Sequence, residues 1–415
     1  MTGRWDVIVV GARVAGASTA MLLARAGLRV LCVDRSRYGA DTLSTHALMR
    51  AGVLQLDRWG LLPALREAGT PQVRHTVFHY PDESVTVSIK PSDGVDALYA
   101  PRRTVIDALL VDAARAAGAT VDFGVEVTQL VGDGGGVTGV MLRPTRGGLE
   151  RVEYADLVVG ADGRDSVIAR EVGASATTRG RHAGAYLYGY WDGLPVAGYE
   201  WVYHDGLAAG AIPTNAGQTC VFVGGNARQV AERVTRGSAR TAFAELLAAT
   251  PLGPRLAEAS PATTIRYARH LPPAYLRSAY GPGWALVGDA GHWLDPLSTH
   301  GITGALRDAG FLASAVAQST PRSGARATAL SDYQRRRDQI SVPMVHITDQ
   351  LASYAWDQQR VRSLLRELAS ALTDEVELVA AAENAGPGVD EPIQWRPSSH
   401  RRPRSARHRR GLEVT

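Results

Sequence analysis

Apolar runs separated by glycine-rich turns dominate the first third of the chain. Residues 6–10 are mostly apolar and predict a strand, and the Ala- and Leu-rich segment 15–26 predicts a helix that ends at Gly27. A second apolar strand follows at residues 28–33. The order strand, helix, strand predicts a βαβ unit whose two strands are parallel and buried.

The same alternation of strands and helices continues beyond this unit. Further strands are predicted at 98–100, 120–131, 137–143, 156–159 and 284–287. Further helices are predicted at 104–117 and 304–318. The turn at 132–136 contains four glycines, so the two strands that flank it are expected to form a hairpin.

After residue 180 the pattern of apolar and polar residues changes twice. Residues 180–275 carry short segments rich in Tyr, Trp and Val, which predict a separate, mostly antiparallel layer. Residues 331–383 are mostly helical in pattern, with an interruption expected at Pro343. From Gly386 onward Pro, Arg and Ser dominate, so we expect a disordered basic tail there.

Length and charge limit the number of domains and the kinds of partner to be expected. The 415 residues suffice for about two to three domains. Residues 396–415 hold seven arginines and one glutamate, so the rest of the chain has a formal charge of −2 instead of +4. We therefore expect no nucleic-acid partner for the folded body. Without a long apolar run or a signal sequence, the chain is expected to be cytoplasmic, with no transmembrane segment, and its two cysteines are expected to be core residues.

The segment VIVVGARVAG, residues 7–16, carries the first chemical motif. It follows the first strand and opens the first helix, where free backbone N–H groups and the helix dipole favour a pyrophosphate. Gly11 permits the turn, Gly16 permits close helix packing, and Arg13 stands where the usual motif has a second glycine. Asp34, at the end of the second strand, is expected to accept a hydrogen bond from a ribose hydroxyl.

Two more segments turn this pattern into a specific resemblance. They are DLVVGADGRDS at 156–166 and WALVGDAGH at 284–292, the second followed by Asp295-Pro296 and Gly301-Ile302. Together with VIVVGARVAG, their order and spacing resemble the three signatures of the para-hydroxybenzoate hydroxylase-like flavoproteins, the group A FAD-dependent monooxygenases. The resemblance extends over about residues 5–320.

This resemblance implies an α/β fold in which a Rossmann-type FAD-binding domain is interleaved with an antiparallel-sheet substrate domain and followed by a helical C-terminal region. The FAD-binding domain is expected at 1–75, 98–178 and 276–330, and the substrate domain at 76–97 and 179–275. The helical region is expected at 331–385 and the tail at 386–415. The protein is expected to be a monomer or a homodimer.

The resemblance also assigns residues to FAD. Asp289 is expected to hold a ribityl hydroxyl, and the backbone near Gly301 is expected to stabilise negative charge at the flavin pyrimidine edge. Arg103, or alternatively Arg102, is expected to contact FAD at a helix start. The complete set of expected cofactor-binding residues is Gly11, Arg13, Val14, Ala15, Gly16, Asp34, Arg35, Arg102, Arg103, Val127, Asp162, Gly288, Asp289, Pro296, Gly301, Ile302 and Thr303.

Two departures from the family pattern concern the same cofactor. Thr299 and Thr303 replace the Gly and Asn of the family's Gly-x-Gly-x-x-Asn segment. The arginine that usually lies three residues after the serine of the second motif is Ala169 here, with Arg170 next. The resemblance therefore supports FAD more strongly than it supports the site for NADPH or NADH.

The resemblance favours a monooxygenase, in which FAD reduced by NADPH or NADH reacts with O₂ to form a C4a-hydroperoxide inside a dry pocket. The enzyme would then hydroxylate or epoxidise a small apolar or aromatic substrate. His46 and His300 are the candidate catalytic residues, because either could transfer a proton to or from a phenol. His292 is interpreted as structural. No metal is expected.

Three alternatives stay open at this point. A FAD-dependent reductase of isoprenoid-type double bonds would need an aromatic segment that Tyr199–His204 matches only faintly. A halogenase is disfavoured, because the chain has no Trp-x-Trp and Lys90 is its sole lysine. A non-catalytic binding protein that acts through its arginine tail is the fourth hypothesis.

Overall fold

The computed structural model describes residues 4–42, 44, 46–321 and 323–382. Its helices are α1 (Val14–Arg25), α2 (Arg50–Arg58), α3 (Leu62–Glu67), α4 (Arg103–Ala116), α5 (Val167–Glu171), α6 (Ala227–Arg236), α7 (Ala239–Ala248), α8 (Leu252–Ala257), α9 (Gly301–Ala317), α10 (Gly324–Ala352) and α11 (Gln358–Ala381). Short 3₁₀ turns cover Asn215–Gly217, Gly288–Ala290 and Pro296–Ser298.

The strands fall into three sheets. They are β1 (Trp5–Val10), β2 (Val30–Asp34), β3 (His75–His79), β4 (Ser84–Ser88), β5 (Thr120–Phe123), β6 (Val125–Asp133), β7 (Gly136–Pro144), β8 (Arg151–Gly160), β9 (Ala176–Arg179), β10 (Gly184–Asp192), β11 (Tyr199–His204), β12 (Leu207–Pro213), β13 (Gln218–Asn226), β14 (Ser260–Pro261), β15 (Arg266–Ala268), β16 (Tyr275–Arg277), β17 (Tyr280–Gly281), β18 (Trp284–Leu286) and β19 (His292–Trp293). The smallest sheet has the order β19-β16-β9.

The first large sheet has the order β17-β18-β8-β1-β2-β5, and the β6–β7 hairpin joins it through β8. Strand β1 pairs in parallel with both β2 and β8, and β18 pairs in parallel with β8. Successive residues of β1 face opposite sides: Val7 and Val9 belong to the main core, while Ile8 and Val10 belong to a smaller core that includes hairpin residues. Burial on both faces explains why residues 7–10 of β1 and 157–159 of β8 are continuous apolar runs.

The second large sheet has the order β14-β10-β13-β12-β11-β3-β4 and is mostly antiparallel. Successive side chains of its strand β10 also face opposite sides of the sheet. Tyr186, Tyr188 and Tyr190 face the main core, while Leu187 and Trp191 face a separate core that contains residues of α6 and α7. The sheet therefore presents a row of tyrosines to the main core and covers its other face with helices. The α/β class with an antiparallel second layer is confirmed.

Three details of the predicted secondary structure are wrong. Helix α10 continues through Pro343, which is exposed, so the carbonyl that loses its partner can be hydrated. Residues 227–257 form three helices and no strand, because they pack as a layer on the sheet and do not extend it. Residues 98–100 make only isolated bridges to Leu48 and Val73. The predicted disordered tail lies outside the described residues, and the domain boundaries stay predictions.

Candidate active site

The first turn after β1 is shaped by two glycines. Gly11 has a φ of +104°, and a Cβ placed on it would lie 2.3 Å from the Ala161 carbonyl oxygen. A Cβ on Gly16 would lie 1.7 Å from the Gly11 carbonyl oxygen. Any side chain at either position would therefore clash with backbone. Helix α1 begins at Val14, so the amides of Val14, Ala15 and Gly16 lie in its first turn, where no intrahelical acceptor exists.

Arg13 leaves this turn open by extending toward helix α4. Its Nη1 lies 3.5 Å from Oδ2 of Asp107. Arg103 donates from Nε and Nη2 to the two oxygens of the same carboxylate, at 3.1 Å each. Burial raises the pKa of Asp107, and Arg103 and Arg13 oppose the rise. Two guanidinium groups thus share one carboxylate beside the α1 N-terminus, which leaves a net positive charge suited to a diphosphate.

Asp34 is buried at the end of β2 and already has backbone partners. Its Oδ2 accepts from the Ala12 amide at 2.7 Å, and its Oδ1 accepts from the amide and hydroxyl of Ser36 at 2.7 and 2.6 Å. A groove runs beside Asp34, and Arg35, the next residue in the chain, is exposed but does not line it. The groove is lined by Ala12, Arg13, Asp34, Ser36, Arg37, Tyr38, Gly39, Ala40, Asp107, Val111 and Phe123.

The Gly288-Asp289 turn lies against α1 and α9. Gly288 has a φ of +57°, and a Cβ on it would lie 2.8 Å from the Ala15 Cβ. Its amide donates to Asp308 Oδ2 at 3.2 Å. A Cβ on Gly301 would lie 4.0 Å from Asp289 Oδ1, so the Asp289 carboxylate faces the α9 N-terminus.

The Asp289 carboxylate differs from those of Asp34 and Asp308, which accept backbone amides. Within the described part of the chain, no group donates a hydrogen bond to it. Burial raises its pKa to about 6; Arg103 and Arg164 oppose the rise, and Asp308 adds to it. Asp289 is half-buried, and because the protein supplies no donor to its carboxylate, the carboxylate is suited to receive hydroxyl donors from a ligand.

The segment from Pro296 to α9 places backbone donors at the same end of the sheet. Pro296 begins a 3₁₀ turn, and Thr299 has a φ of +55° at the position where the family has glycine. A β-branched residue is rarely found in this left-handed region. Helix α9 begins at Gly301, so the amides of Gly301, Ile302 and Thr303 lie in its first turn. The Thr303 hydroxyl accepts from the Met49 amide at 3.0 Å.

The structure brings His46 to the junction between the two large sheets. It lies three residues before Met49, which contacts Thr303, and its Nε2 lies 2.7 Å from the Tyr190 hydroxyl of β10. The Arg102 guanidinium lies 3.7 Å from the centre of the Tyr190 ring. Burial lowers the pKa of His46 well below its ordinary value, and Arg102 and Arg103 lower it further. His46 is therefore a neutral imidazole at neutral pH.

His300 lies in a different environment. It is buried behind the start of α9, where its Nε2 lies 3.1 Å from Glu375 Oε1 of helix α11. The structure therefore places it in an ion-pair network, apart from the tyrosines of β10. His292, interpreted as structural, lies next to this network, with its Nδ1 3.4 Å from Arg307 Nη2.

Two of the expected cofactor residues are engaged elsewhere. Asp162 accepts from the Ser166 hydroxyl at 2.6 Å and from the Val167 amide at 2.7 Å, so it holds the start of α5. Val127 is buried on β6, so its side chain belongs to the core of the β6–β7 hairpin. A cofactor role for either residue stays a prediction.

Comparison with known proteins identifies the class. The model of the FAD binding domain family matches residues 4–348, and the chain belongs to this family. The cofactor predicted from the motifs, FAD, is therefore confirmed. The chain is similar to kynurenine 3-monooxygenase of Salinispora tropica, with 27% identity over 80% of this chain and 76% of that protein. It is also similar to 6-methylpretetramide 4-monooxygenase of Streptomyces rimosus, with 33% identity over 40% of each chain.

A further relative aligns with this chain over less than half of its own length. A probable electron transfer flavoprotein-quinone oxidoreductase of Escherichia coli is 31% identical over 41% of this chain and 39% of its own length. Among solved structures, PqsL, a probable FAD-dependent monooxygenase from Pseudomonas aeruginosa, has a TM-score of 0.75 at 21% identity, over 88% of this chain and all of that chain. The flavin-dependent brominase Bmp2 has a TM-score of 0.73 at 17% identity, over 91% and 98%. At these identities the structures show the shared fold alone.

The residues of these segments fit FAD. Helix α1 and the two arginines suit the diphosphate, and the unpartnered Asp289 carboxylate suits the ribityl hydroxyls. The first turn of α9 supplies amides for the flavin edge. Sequence reasoning missed Asp107 and Glu375, although the spacing of Arg103 and Asp107, four residues apart on a helix, is a recognisable signal. The described helices include none with the length and apolar character of a membrane span. The described His, Cys, Asp and Glu residues form no group of three or more that could hold a metal ion.

Proposed function

We propose that this protein is a FAD-dependent monooxygenase that uses NADPH or NADH and O₂ to hydroxylate or epoxidise a small apolar or aromatic substrate. The balanced reaction for hydroxylation takes substrate, O₂, NAD(P)H and one proton to hydroxylated substrate, water and NAD(P)⁺. When bound and reduced, FAD supplies the activation of O₂. Relatives that are named as monooxygenases support this activity.

The observation that carries the proposal is the row of tyrosines on β10. Tyr186, Tyr188 and Tyr190 point from the second sheet toward the core that contains α1, α9 and the start of α2. The residues expected to hold the flavin edge lie on that side. An apolar, aromatic wall opposite the flavin would exclude water and suit a planar substrate.

Within this site we propose that His46 and Tyr190 bind and orient the substrate. The pair is buried and hydrogen-bonded, and the neutral imidazole can accept a proton from a phenol without first losing one of its own. The guanidinium of Arg102, stacked on the Tyr190 ring, would favour the phenolate that results. His300 has no comparable contact with this wall, so its proposed role is in the position of α9.

Oxygen isotope incorporation tests the proposed reaction. The FAD-loaded protein is supplied with NADPH or NADH and ¹⁸O₂ in the presence of a panel of mono- and polycyclic phenols. We expect O₂ and NAD(P)H to be consumed in a one-to-one ratio and one ¹⁸O atom to enter the product of a phenol that is turned over.

The alternative reaction gives the contrary result. A reductase of isoprenoid double bonds would oxidise NAD(P)H without consuming O₂ and would add two hydrogen atoms to geranylgeraniol under argon. Reduction of this alkene without oxygen consumption would overturn the monooxygenase proposal and establish the reductase.

A further inference from the structure

A buried ion-pair network connects the C-terminal helix α11 to the start of α9. The carboxylate of Glu375, on α11, accepts from Arg307 Nη1 at 2.9 Å and from His300 Nε2 at 3.1 Å through the same oxygen, Oε1. Arg307 and Glu375 are fully buried, and His300 is 1% exposed. His300 immediately precedes the first residue of α9, so the carboxylate contacts the residue of the flavin-edge segment from which α9 starts.

The network also reaches the second part of the FAD site. Arg307 Nη2 donates to Asp308 Oδ1 at 2.7 Å, and Asp308 Oδ2 accepts from the Gly288 amide at 3.2 Å. Gly288 precedes Asp289. Glu375 therefore connects, through His300 on one side and Arg307 on the other, to both segments that are expected to hold the flavin and its ribityl chain.

A carboxylate at this position is costly unless it is paired, because burial penalises its charge. Burial alone would raise the pKa of Glu375, but His300 and Arg307 outweigh it, and the net pKa lies below the ordinary value. Glu375 is thus an ionised group. Helix α11 is held in place nearby, where Arg58 of α2 donates to the carbonyls of Val379 and Ala380 at 2.8 and 3.0 Å.

Glu375 lies outside the part of the chain that the family model matches, which ends at residue 348. The acid is therefore a contribution of this chain's own C-terminal helix to a site built by the family domain. Buried charge that contacts the start of a helix affects the potential at the amides of its first turn, because the interior screens it weakly.

We propose that Glu375 is a positioning residue that fixes the N-terminus of α9 and, through its negative charge, lowers the midpoint potential of the bound flavin. This inference rests on FAD binding and is independent of which reaction the flavin carries out. Reduction adds negative charge to the flavin edge, so removal of a nearby carboxylate favours the reduced form.

Glu375→Gln in the FAD-loaded full chain tests the charge, because the amide keeps the shape and one acceptor. We expect the ratio of reduced to oxidised flavin at a fixed dye potential to increase about tenfold, which is about 30 mV for a two-electron couple. Glu375→Asp, which keeps the charge, is expected to stay within about threefold of the wild-type ratio. The matched control is Glu377→Gln, an exposed acid on the same helix, which is expected to have no effect.

A purely structural role of Glu375 predicts a different result. In that case Glu375→Gln would lower the melting temperature and leave the flavin potential unchanged, and the proposal would be overturned. Should Glu375→Gln fail to yield folded protein, His300→Ala tests the same connection, because it breaks the contact between Glu375 and the start of α9 and keeps the pair between Glu375 and Arg307. We then expect the FAD dissociation constant to rise at least fivefold, and an unchanged constant would refute the proposal.

Discussion

The unpartnered carboxylate of Asp289 should make the protein without FAD less stable than a variant that lacks the charge. Burial raises the pKa of Asp289 from 3.8 to about 6, and at about 1.4 kcal/mol for each pH unit this corresponds to at most about 3 kcal/mol, because Asp289 is half-buried and solvent screens part of its charge. The sign follows from the raised pKa. Below pH 3.8 the carboxyl group is protonated in the folded and the unfolded state and has no effect on stability, whereas its ionisation destabilises the folded state increasingly as the pH rises to about 6, and fully above that. Asp289→Asn removes the titration.

We therefore expect the FAD-free Asp289→Asn variant to be more stable than the wild-type protein, by up to about 3 kcal/mol at pH 8 and about half of that at pH 5. The same change removes the proposed acceptor for the ribityl hydroxyls. Loss of a charged hydrogen bond costs about 1.5–3 kcal/mol, so the FAD dissociation constant should rise about 10- to 100-fold.

Urea unfolding of the two FAD-free proteins at pH 5 and pH 8 measures the first effect, and quenching of FAD fluorescence measures the second. Asp165→Asn is the matched control, because the Asp165 side chain is 86% exposed and its loss should change neither quantity. An Asp289→Asn protein that is no more stable than wild type at pH 8, or that binds FAD equally well, would refute the reasoning.

Two further predictions concern other parts of the molecule. Because its pKa is lowered by burial and by Arg102 and Arg103, His46 should not titrate between pH 6 and 9. His46→Gln should therefore lower kcat about tenfold and leave the shape of its pH profile unchanged. Loss of an inflection between pH 6 and 9 in this variant would contradict the neutral state assigned to His46. Pro343→Ala should raise the free energy of unfolding by about 1–3 kcal/mol, because it restores a helix hydrogen bond at an exposed position of α10, and a lower value in urea unfolding would count against this account of the helix.

The strands and turns of the first sheet could be predicted because their constraints are local. Residues 7–10 of β1 are buried on both faces, so they are apolar without interruption. Gly11 and Gly16 are required because a Cβ at either position would come within 2.3 Å of a backbone oxygen. Helix α6 could not be predicted, since only one of its residues, Val230, is buried and its apolar signal is correspondingly weak. The continuation of α10 through Pro343 could not be predicted either, because sequence alone does not show that this side of the helix faces solvent.

The contacts that complete the site could not be predicted, because they join residues that are far apart in the chain. His46 meets Tyr190 across 144 residues, and His300 meets Glu375 across 75. No periodicity reports such a pairing, which is decided by how β10 and α11 pack against the cofactor domain. The motifs identified the family and the cofactor, whereas the partners of His46 and His300 emerge only from the tertiary structure.

Four of the acidic residues in and beside the motifs have two different roles, which their hydrogen bonds distinguish. Asp34, Asp162 and Asp308 each accept a hydrogen bond from a backbone amide at the end of a strand or the start of a turn. They therefore stabilise the turns around the FAD site before any ligand binds. Asp289 alone among these four has no donor among the described residues. A signature acid that the fold itself satisfies contributes to structure first, and one that the fold leaves unsatisfied bears a cost that a ligand can remove. The binding energy of FAD should therefore depend most strongly on Asp289.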